Sequence, residues 1–436
     1  MRPDGGMPAA RYTDPEMLAL EYERLWSRVW QIACRAEELP KVGDHVVYTI
    51  GARSVLLVRS EPDHIVAFHN ACLHRGTQLA DPQSNGAAGH FDDGCIRCPY
   101  HGWGYALDGR LVHVVDRDEF DGMPDGQTLA PVRCESFGGF VFVNFDADAP
   151  KLIDFLDPLS TLLERYQLGD LRLRGVRSTI LPANWKAVVD AFNEGYHVQA
   201  AHSQILPWTD DTCFAYERLG AHSHYGRLAG ARRALRPSPR LALDSDDYDE
   251  GAILAALVQG LGGAFLAEER DLVQQAAAES RDTGAPLLPT FQRLRRGLME
   301  SRGFAIDAFA DDELTSADDV CWFPNIVGPI YPGSAIMFRS RPNGDDPNSA
   351  IHDTWVLEWP DARREPRPAS VKFYERWTDR DWGEITEQDY RNLERVQGGM
   401  RTGGVETLRC NPVQEANVLH MHRGIDEYLR TPRTPR

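Results

Sequence analysis

Two short segments of the chain each carry one cysteine and one histidine. In NACLHRG, Cys72 and His74 are two positions apart, and in CIRCPYHGW, Cys98 and His101 are three positions apart. A thiolate and an imidazole contributed by each of two neighbouring loops are typical metal ligands. The spacing therefore predicts that these four side chains form one metal site.

Two metal groups fit this set of ligands. A single zinc ion would bind two cysteines and two histidines tetrahedrally. A Rieske [2Fe–2S] cluster would bind the two cysteines on one iron and the two histidines on the other. Cys95 forms a C-x-x-C motif with Cys98 that a zinc ribbon would use, so the spacing alone leaves both groups open.

A second constellation lies in NWKAVVDAFNEGYHVQAAH, residues 184–202. Its apolar residues recur at helical spacing on one face: Trp185, Val188, Val189, Phe192 and Tyr196. Asp190, Glu194 and His197 fall on the opposite face, which in isolation is most simply a solvated polar face. His202 lies about 140° around a regular helix from His197. The two imidazoles converge only if the helix is irregular between residues 198 and 201, and we predict that irregularity.

Two histidines and one carboxylate form the facial triad of non-heme Fe(II) oxygenases, which leaves iron positions open for oxygen and substrate. The carboxylate can come from far away in the sequence. The residues alone therefore do not select it.

The bulk properties bound the protein class. A chain of 436 residues, 42% apolar and 26% charged, predicts a globular protein of two or three domains. The net charge of −18 argues against nucleic acid or an anionic membrane as the main partner. No secretory signal is visible, and the apolar run 252–267 is too short to cross a bilayer. Eight cysteines are too few in a chain of this length for a disulfide framework. These features predict a cytoplasmic protein.

The elements that position the two constellations follow from periodicity. Residues 14–35 predict an amphipathic helix, and residues 40–147 predict a small all-β region with both Cys/His segments in its loops. After residue 150 the pattern mixes helices and strands. A helix is predicted over residues 381–399, with a capping box of Asp381 and Glu384 and with two glycines as its stop.

The motifs C-x-H-R-G and C-P-Y-H-G-W resemble the signature of the Rieske ring-hydroxylating oxygenases, in their α (terminal oxygenase) subunit. The resemblance implies that Cys72 and Cys98 ligate one iron of a [2Fe–2S] cluster, and that His74 and His101 ligate the other. It also implies that Cys95 is not a ligand.

DAFNEGYHVQAAH resembles the E/D-x-x-H-x(4)-H motif of the same family, and EQDYRNLERVQGG resembles the segment that supplies its third ligand. The resemblance implies that His197, His202 and Asp389 bind mononuclear Fe(II). It implies that Glu194 bridges an iron-bound histidine to a Rieske histidine of a neighbouring subunit. Asp190 departs from the commoner Asn or Glu at its position, so its place beside the metal ligands stays open.

The resemblance also implies a fold and a set of domains. The expected class is α+β, with a Rieske domain (40–150) inserted between an N-terminal helix (1–39) and a catalytic domain (151–436). The catalytic domain would be an antiparallel sheet flanked by helices, of the helix-grip, START-like type. Residues 205–320, which match the family least, would line the substrate pocket.

The function implied is that of a terminal oxygenase that uses O2 to hydroxylate an aromatic or polycyclic substrate, by monooxygenation or cis-dihydroxylation. The alternatives are oxygenation or demethylation of a quaternary amine or methyl ether and, in another class, a non-catalytic Rieske electron carrier or zinc protein. The chain has no Rossmann fingerprint, so electrons from NAD(P)H would arrive through a ferredoxin or flavin reductase. The assembly implied is a homotrimer, with or without a small β subunit.

Overall fold

The chain folds into two compact units in a computed structural model. The inserted unit comprises Ala19–Phe155, and the larger unit comprises Met1–Leu18 with Leu156–Thr431. The residues described by the structure are 6–81, 88–227, 237–242, 249–260, 265–266, 268–360 and 371–431. Part of the apolar run 252–267 lies outside the described residues.

The chain begins with strand β1 (Met7–Pro8), helix α1 (Ala10–Thr13) and helix α2 (Pro15–Arg24). The helix predicted over residues 14–35 is wrong in its second half, because Ile32 lies in strand β2 (Gln31–Arg35). Every residue of β2 is buried, and a strand buried on both faces has an apolar run that periodicity does not separate from a buried helix. Since β2 pairs within the inserted unit, the expected boundary at residue 39 also differs from the observed one at Leu18.

The inserted unit is built from two sheets. Its other strands are β3 (Asp44–Ile50), β4 (Arg53–Glu61), β5 (His64–His69), β6 (Gly89–His90), β7 (Cys95–Arg97), β8 (Gly104–Ala106), β9 (Leu111–His113), β10 (Pro131–Phe137) and β11 (Phe140–Asn144). One sheet has the order β2-β11-β10-β5-β4-β3-β6, and the second has the order β7-β8-β9. The all-β character expected of residues 40–147 is confirmed.

Both Cys/His segments are connections in this unit, as the sequence predicts. The first follows β5, and the second joins β7 to β8. One apolar cluster beneath them includes both cysteines. The two loops are therefore anchored on the same core.

The larger unit is an eight-stranded sheet with helices around it. Its strands are β12 (Arg172–Leu181), β13 (Phe214–Leu219), β14 (His222–Arg227), β15 (Asp318–Trp322), β16 (Ile326–Tyr331), β17 (Ser334–Asn343), β18 (Asp346–Glu358) and β19 (Val371–Tyr374), and β20 (Thr407–Leu408) pairs with β1. The sheet order is β13-β14-β15-β16-β17-β18-β12-β19, antiparallel except for the parallel pair β12/β19. The α+β fold with an inserted β domain is confirmed.

The helices after the first two are α3 (Leu152–Leu156), α4 (Leu159–Leu163), α5 (Trp185–Ala191), α6 (Val198–Ala201), α7 (Glu250–Gly260), α8 (Glu269–Thr283), α9 (Leu287–Ser301), α10 (Glu384–Arg401) and α11 (Ala416–Arg430). Helix α5 packs against β17, β18 and α10. Helix α7 buries Leu254 and Leu257 in an apolar cluster with Trp208 and Tyr331. No described helix is both long and apolar enough to cross a bilayer.

The helix predicted over residues 381–399 is α10, but both of its predicted ends are wrong. Asp381 Oδ1 accepts a hydrogen bond from the Gly383 amide at 2.8 Å, ahead of the helix, so it does not form a capping box with Glu384. Gly398 and Gly399 lie inside the helix, which buries Met400 beyond them. Burial of that side chain favours continuation through two glycines whose intrinsic helix propensity is low.

Candidate metal centres and the adjoining cavities

The two Cys/His loops of the inserted unit have the same backbone turn. The carbonyl oxygen of Cys72 accepts the amide of Gly76 at 2.9 Å, and that of Cys98 accepts the amide of Gly102 at 3.1 Å. Both glycines have positive φ, 76° and 73°, a conformation that side chains with a Cβ rarely adopt. The glycines therefore turn each loop so that its cysteine and histidine point to one place.

The four predicted ligands meet as two pairs. His74 Nδ1 lies 3.1 Å from His101 Nδ1, and the two cysteines, each about 3% exposed, interact with one another below. No three ligand atoms of these four residues, all of which are described, lie within 4.8 Å of one another. A single tetrahedral zinc needs all four ligands around one ion, whereas a [2Fe–2S] cluster needs two separate pairs. The arrangement fits the cluster.

The surroundings hold both pairs in place. The Tyr105 hydroxyl lies 3.1 Å from Cys72 Sγ and accepts the Leu73 amide at 2.9 Å. The His74 ring stacks on the buried Trp103 ring with a centroid distance of 4.9 Å. Burial raises the pKa of the Cys72 thiol, and so does Cys98. Bound metal would oppose this rise, because metal coordination deprotonates a thiol.

In the larger unit, helix α5 ends at Ala191, and the stretch Phe192–His197 is irregular. The irregularity predicted between residues 198 and 201 is therefore misplaced, since those residues form the short helix α6. Glu194 explains the break. Its Oε2 accepts the backbone amides of Tyr196 and His197, and such local side-chain bonds compete with the helical ones.

The break brings three predicted ligands together. His202 Nε2 lies 2.9 Å from Asp389 Oδ1, and His197 Nε2 lies 3.7 Å from the same oxygen. The ligand atoms of the three residues all lie within 4.8 Å of one another, the only such set of three or more His, Cys, Asp or Glu among the described residues. Two imidazoles and one carboxylate are the donors of a non-heme Fe(II) site, so the set fits iron.

Each histidine of this triad is oriented through its other ring nitrogen. His197 Nδ1 lies 2.6 Å from Glu194 Oε1, and His202 Nδ1 lies 2.8 Å from Gln388 Oε1. Burial would lower the pKa of His197, but the Glu194 hydrogen bond and charge outweigh it, so the pKa is raised. Such partners fix the tautomer, because each Nδ1 donates and each Nε2 is left to face a metal.

Asp190, whose role the sequence leaves open, is the centre of a buried hydrogen-bond network. Its Oδ2 accepts the Tyr12 hydroxyl at 2.7 Å, and both carboxylate oxygens lie 3.1 Å from His422 Nε2. The same hydroxyl lies 3.0 Å from that nitrogen. Asp190 does not join the triad. It connects helix α5 to the N-terminal segment and to α11.

A cavity of about 400 Å³ adjoins the triad. Its lining residues come from the sheet, from α7 and from α10, and they include aromatic side chains and both histidines of the triad. The aromatic members are Phe192, Trp208, Phe214, Tyr225, Tyr331, Phe338 and Trp382. Several of its lining residues come from the region 205–320 that we expected to line a substrate pocket. Its volume suits a small organic molecule.

A second cavity, of about 280 Å³, reaches Glu194 and His197 and is lined further by Asp190, Cys410 and Glu415. Burial, then Glu194 and Asp190, raise the pKa of Glu415.

Sequence reasoning missed Gln388, Glu415, Tyr12 and the bond between Asp190 and His422. His422 had no ligand-like spacing, and its partner is 232 residues away, so no local pattern marked it.

Two family models match the chain. A Rieske [2Fe–2S] domain matches residues 29–124, and the catalytic domain of the ring-hydroxylating α subunit matches residues 165–252 and 278–431. The second match alone covers more than half of the chain. Both predicted centres lie inside the matched regions.

Curated relatives include oxygenase subunits of two kinds. The chain is 33% identical over 205 residues to the glycine betaine monooxygenase oxygenase subunit of Chromohalobacter salexigens, which covers 47% of this chain and 44% of that protein. It is 36% identical over 201 residues to the carnitine monooxygenase oxygenase subunit of Escherichia coli K12, covering 45% and 52%. It is 31% identical over 193 residues to the chlorobenzene dioxygenase subunit alpha of a Cupriavidus species, covering 43% and 42%. The chain matches about half the length of these relatives.

Solved structures share the fold along nearly the whole chain. A quaternary ammonium Rieske monooxygenase in complex with L-carnitine has a TM-score of 0.66 at 17% identity, covering 97% of this chain and 95% of that one. Naphthalene 1,2-dioxygenase with bound indole has a TM-score of 0.66 at 18% identity, covering 98% and 92%.

Proposed function

We propose a function for this chain, which belongs to the family of Rieske ring-hydroxylating oxygenase α subunits. It is a terminal oxygenase, and it hydroxylates a small organic substrate with O2. The observation that carries the proposal is the meeting of His197, His202 and Asp389 at the wall of the 400 Å³ cavity. A non-catalytic electron carrier or zinc protein would need neither the triad nor the cavity.

His197, His202 and Asp389 would hold the iron, and Cys72, Cys98, His74 and His101 would hold the [2Fe–2S] cluster. When bound, the two groups would supply single electrons and the activation of O2. The residues of the chain do the rest. Glu194 and Gln388 orient the triad histidines, and the apolar cavity wall positions the substrate and limits the access of water.

The substrate class rests on the cavity lining. Its seven aromatic side chains support an aromatic or polycyclic substrate, which we propose as the first class. One feature of the cavity wall favours a second class of substrate. Asp319, Phe214 and Tyr225 all line the cavity, and the centroids of the two aromatic rings are 5.7 Å apart. Aromatic faces with a carboxylate are suited to a quaternary ammonium group. The similarity to carnitine and glycine betaine oxygenase subunits also supports oxygenation or demethylation of a quaternary amine.

The electron path is part of the same proposal. No described part of the chain offers a nucleotide-binding motif, so a ferredoxin or flavin reductase would deliver electrons from NAD(P)H. We propose a homotrimer, with or without a small β subunit, in which Glu194 links His197 to a Rieske histidine of a neighbouring subunit. The 280 Å³ cavity reaches Glu194 and would admit such a group. None of the eight cysteines, all of which are described, forms a disulfide, which supports action in the reducing cytoplasm.

The experiment that tests the proposal replaces His197 by alanine. We expect product formation, measured with a surrogate reductase and a substrate panel, to be lost, while the visible absorption of the cluster is kept. His64→Ala, at an exposed position of β5, is the matched control and should keep both. Loss of the cluster spectrum in His197→Ala, or undiminished turnover, would contradict the assignment.

A further inference from the structure

Two arginines line the cavity beside the triad, and they come from different elements. Arg177 is on β12, paired with Thr354, which also lines the cavity. Arg380 lies just before α10. Arg177 is exposed, so the two guanidinium groups mark the solvent end of the cavity.

Arg380 is held in place with its terminal nitrogens available. Its Nε donates to the Asp381 carbonyl oxygen at 2.7 Å, and its guanidinium carbon lies 5.0 Å from the Trp382 ring centroid and 5.6 Å from that of Tyr374. Stacking on aromatic rings fixes the plane of a guanidinium without using its Nη donors. Those donors therefore remain free for a ligand in the cavity.

Three acidic residues close to Arg380 in sequence bond to backbone amides instead. The carboxylates of Asp379, Asp381 and Glu387 accept backbone amides of Arg376, Gly383 and Trp382. Within the described part of the chain, no carboxylate lies within 4.0 Å of the guanidinium of Arg177 or Arg380.

The local charge is opposite to that of the whole protein. The chain carries 65 acidic and 47 basic residues, yet here Arg177 faces Lys372 across the β12/β19 pair. Burial, then the charge of Arg380, lower the pKa of Arg177; Tyr374 acts in the opposite direction, and Arg174 lowers the pKa further. Two uncompensated guanidinium groups at one end of a partly apolar cavity are an arrangement that a bound anion would stabilise.

We propose that Arg177 and Arg380 select a substrate that carries a carboxylate, with the carboxylate at the solvent end of the cavity and the rest of the molecule directed toward the triad. This inference rests on the proposed function, since it assigns the cavity to the substrate. Arginine binds a carboxylate through paired N–H donors in one plane. The neutral amide of the same acid has a donor group where the carboxylate has an acceptor, and it should be rejected.

The test compares two acids with their own primary amides by isothermal titration calorimetry on the holoprotein. The probes are benzoate with benzamide, and γ-butyrobetaine with its amide, so that both substrate classes are covered. We expect at least one acid to bind more than about tenfold tighter than its amide. In Arg177→Gln/Arg380→Gln the ratio should fall below about threefold, and in the single Arg177→Gln variant it should fall part of the way.

Arg172→Gln is the matched control, because Arg172 is on the same strand, bonds only to nearby backbone carbonyls and does not line the cavity. It should keep the full ratio. If neither acid binds better than its amide in the unsubstituted protein, including the case in which nothing binds, the proposal is overturned. A ratio that survives the double substitution also overturns it. Calorimetry needs no turnover, so selective acid binding without any oxygenation would contradict the proposed function and leave this inference standing.

Discussion

Glu194 Oε1 lies 2.6 Å from His197 Nδ1, and the other oxygen of the same carboxylate accepts the backbone amides of Tyr196 and His197. One side chain thus ends helix α5 and orients a proposed iron ligand. The helix break and the placement of His197 in the triad therefore have the same cause.

Glu194→Gln should weaken the mononuclear site without unfolding the protein. The amide keeps one oxygen, but it removes the charge that stabilises the His197 N–H. Loss of such a partner typically lowers metal affinity or activity by about 10–100-fold. Iron retained at a fixed chelator concentration measures the effect, and Glu194→Asp, which keeps the charge, should lose less. Equal iron retention and equal turnover in all three proteins would contradict this role.

Gln388→Leu tests the partner of the second histidine. Gln388 Oε1 accepts from His202 Nδ1 and from Gln204 Nε2, so leucine leaves that ring without an acceptor. We expect iron affinity, measured by chelator competition, to fall by about 10–100-fold. Gln199→Leu is the control, because its Nε2 bonds only to the Tyr196 carbonyl oxygen. An equally large loss of affinity in the control would contradict the role of Gln388, because any Gln-to-Leu change near α6 would then have this effect.

Asp190→Ala should destabilise the fold. The substitution removes the hydrogen bonds that the buried Tyr12 hydroxyl and His422 ring make to the carboxylate, and it leaves these two groups only each other as partners. Since one hydrogen bond contributes about 0.5–1.5 kcal/mol, the loss of two should cost about 1–3 kcal/mol. Urea unfolding should show a loss of that size, and Asp190→Asn should lose less. Glu279→Ala, which breaks the surface pair with Arg293, should change the free energy of unfolding by no more than about 1 kcal/mol. A loss in Asp190→Ala no larger than that would rule out the network as a stabilising element.

Stability should fall as the pH drops from about 6.5 towards 4, because of His352. Burial lowers the pKa of this ring to about 4, while the adjacent Asp353 acts in the opposite direction. The folded state therefore resists a proton that the unfolded chain accepts near pH 6.5, and full stability is present only above that value. The expected loss between pH 7 and pH 5 is about 2 kcal/mol.

His352→Leu removes the titrating ring and should remove most of this pH dependence, measured by urea unfolding at both pH values. Its titratable neighbours are Asp353, whose pKa is lowered to about 2, and Tyr390, whose pKa is raised, so neither changes charge in this range. The same 2 kcal/mol loss in the variant would assign the dependence to other groups.

The candidate ligands that are close in sequence could be proposed from their spacing, and those that depend on tertiary packing could not. Cys72 and His74 share one loop, and His197 and His202 share one segment, so their spacing carries the chemistry. Asp389 lies on a different helix, and the residues alone did not distinguish it from Asp381, Glu384 or Glu387; only the resemblance to the family selected it. Gln388, its neighbour, has no motif, because its role depends on where His202 points.

The helix boundaries were predicted wrongly for a related reason. Apolar periodicity continues through Phe192 and Tyr196, but the carboxylate of Glu194 captures the backbone amides that a continuing helix would use. In α10 the opposite happened, since burial of Met400 carried the helix past two glycines. In both places a contact that the sequence pattern does not show decided where the helix ends.

The chain is proposed to hold one [2Fe–2S] cluster and one mononuclear iron. This proposal is tested most directly by measuring iron, zinc and acid-labile sulfide per chain on anaerobically purified protein. We predict about three irons and about two sulfides per chain, with about two irons in His197→Ala. Zinc without sulfide would contradict it and would return CLHRG and CPYHGW to the zinc interpretation.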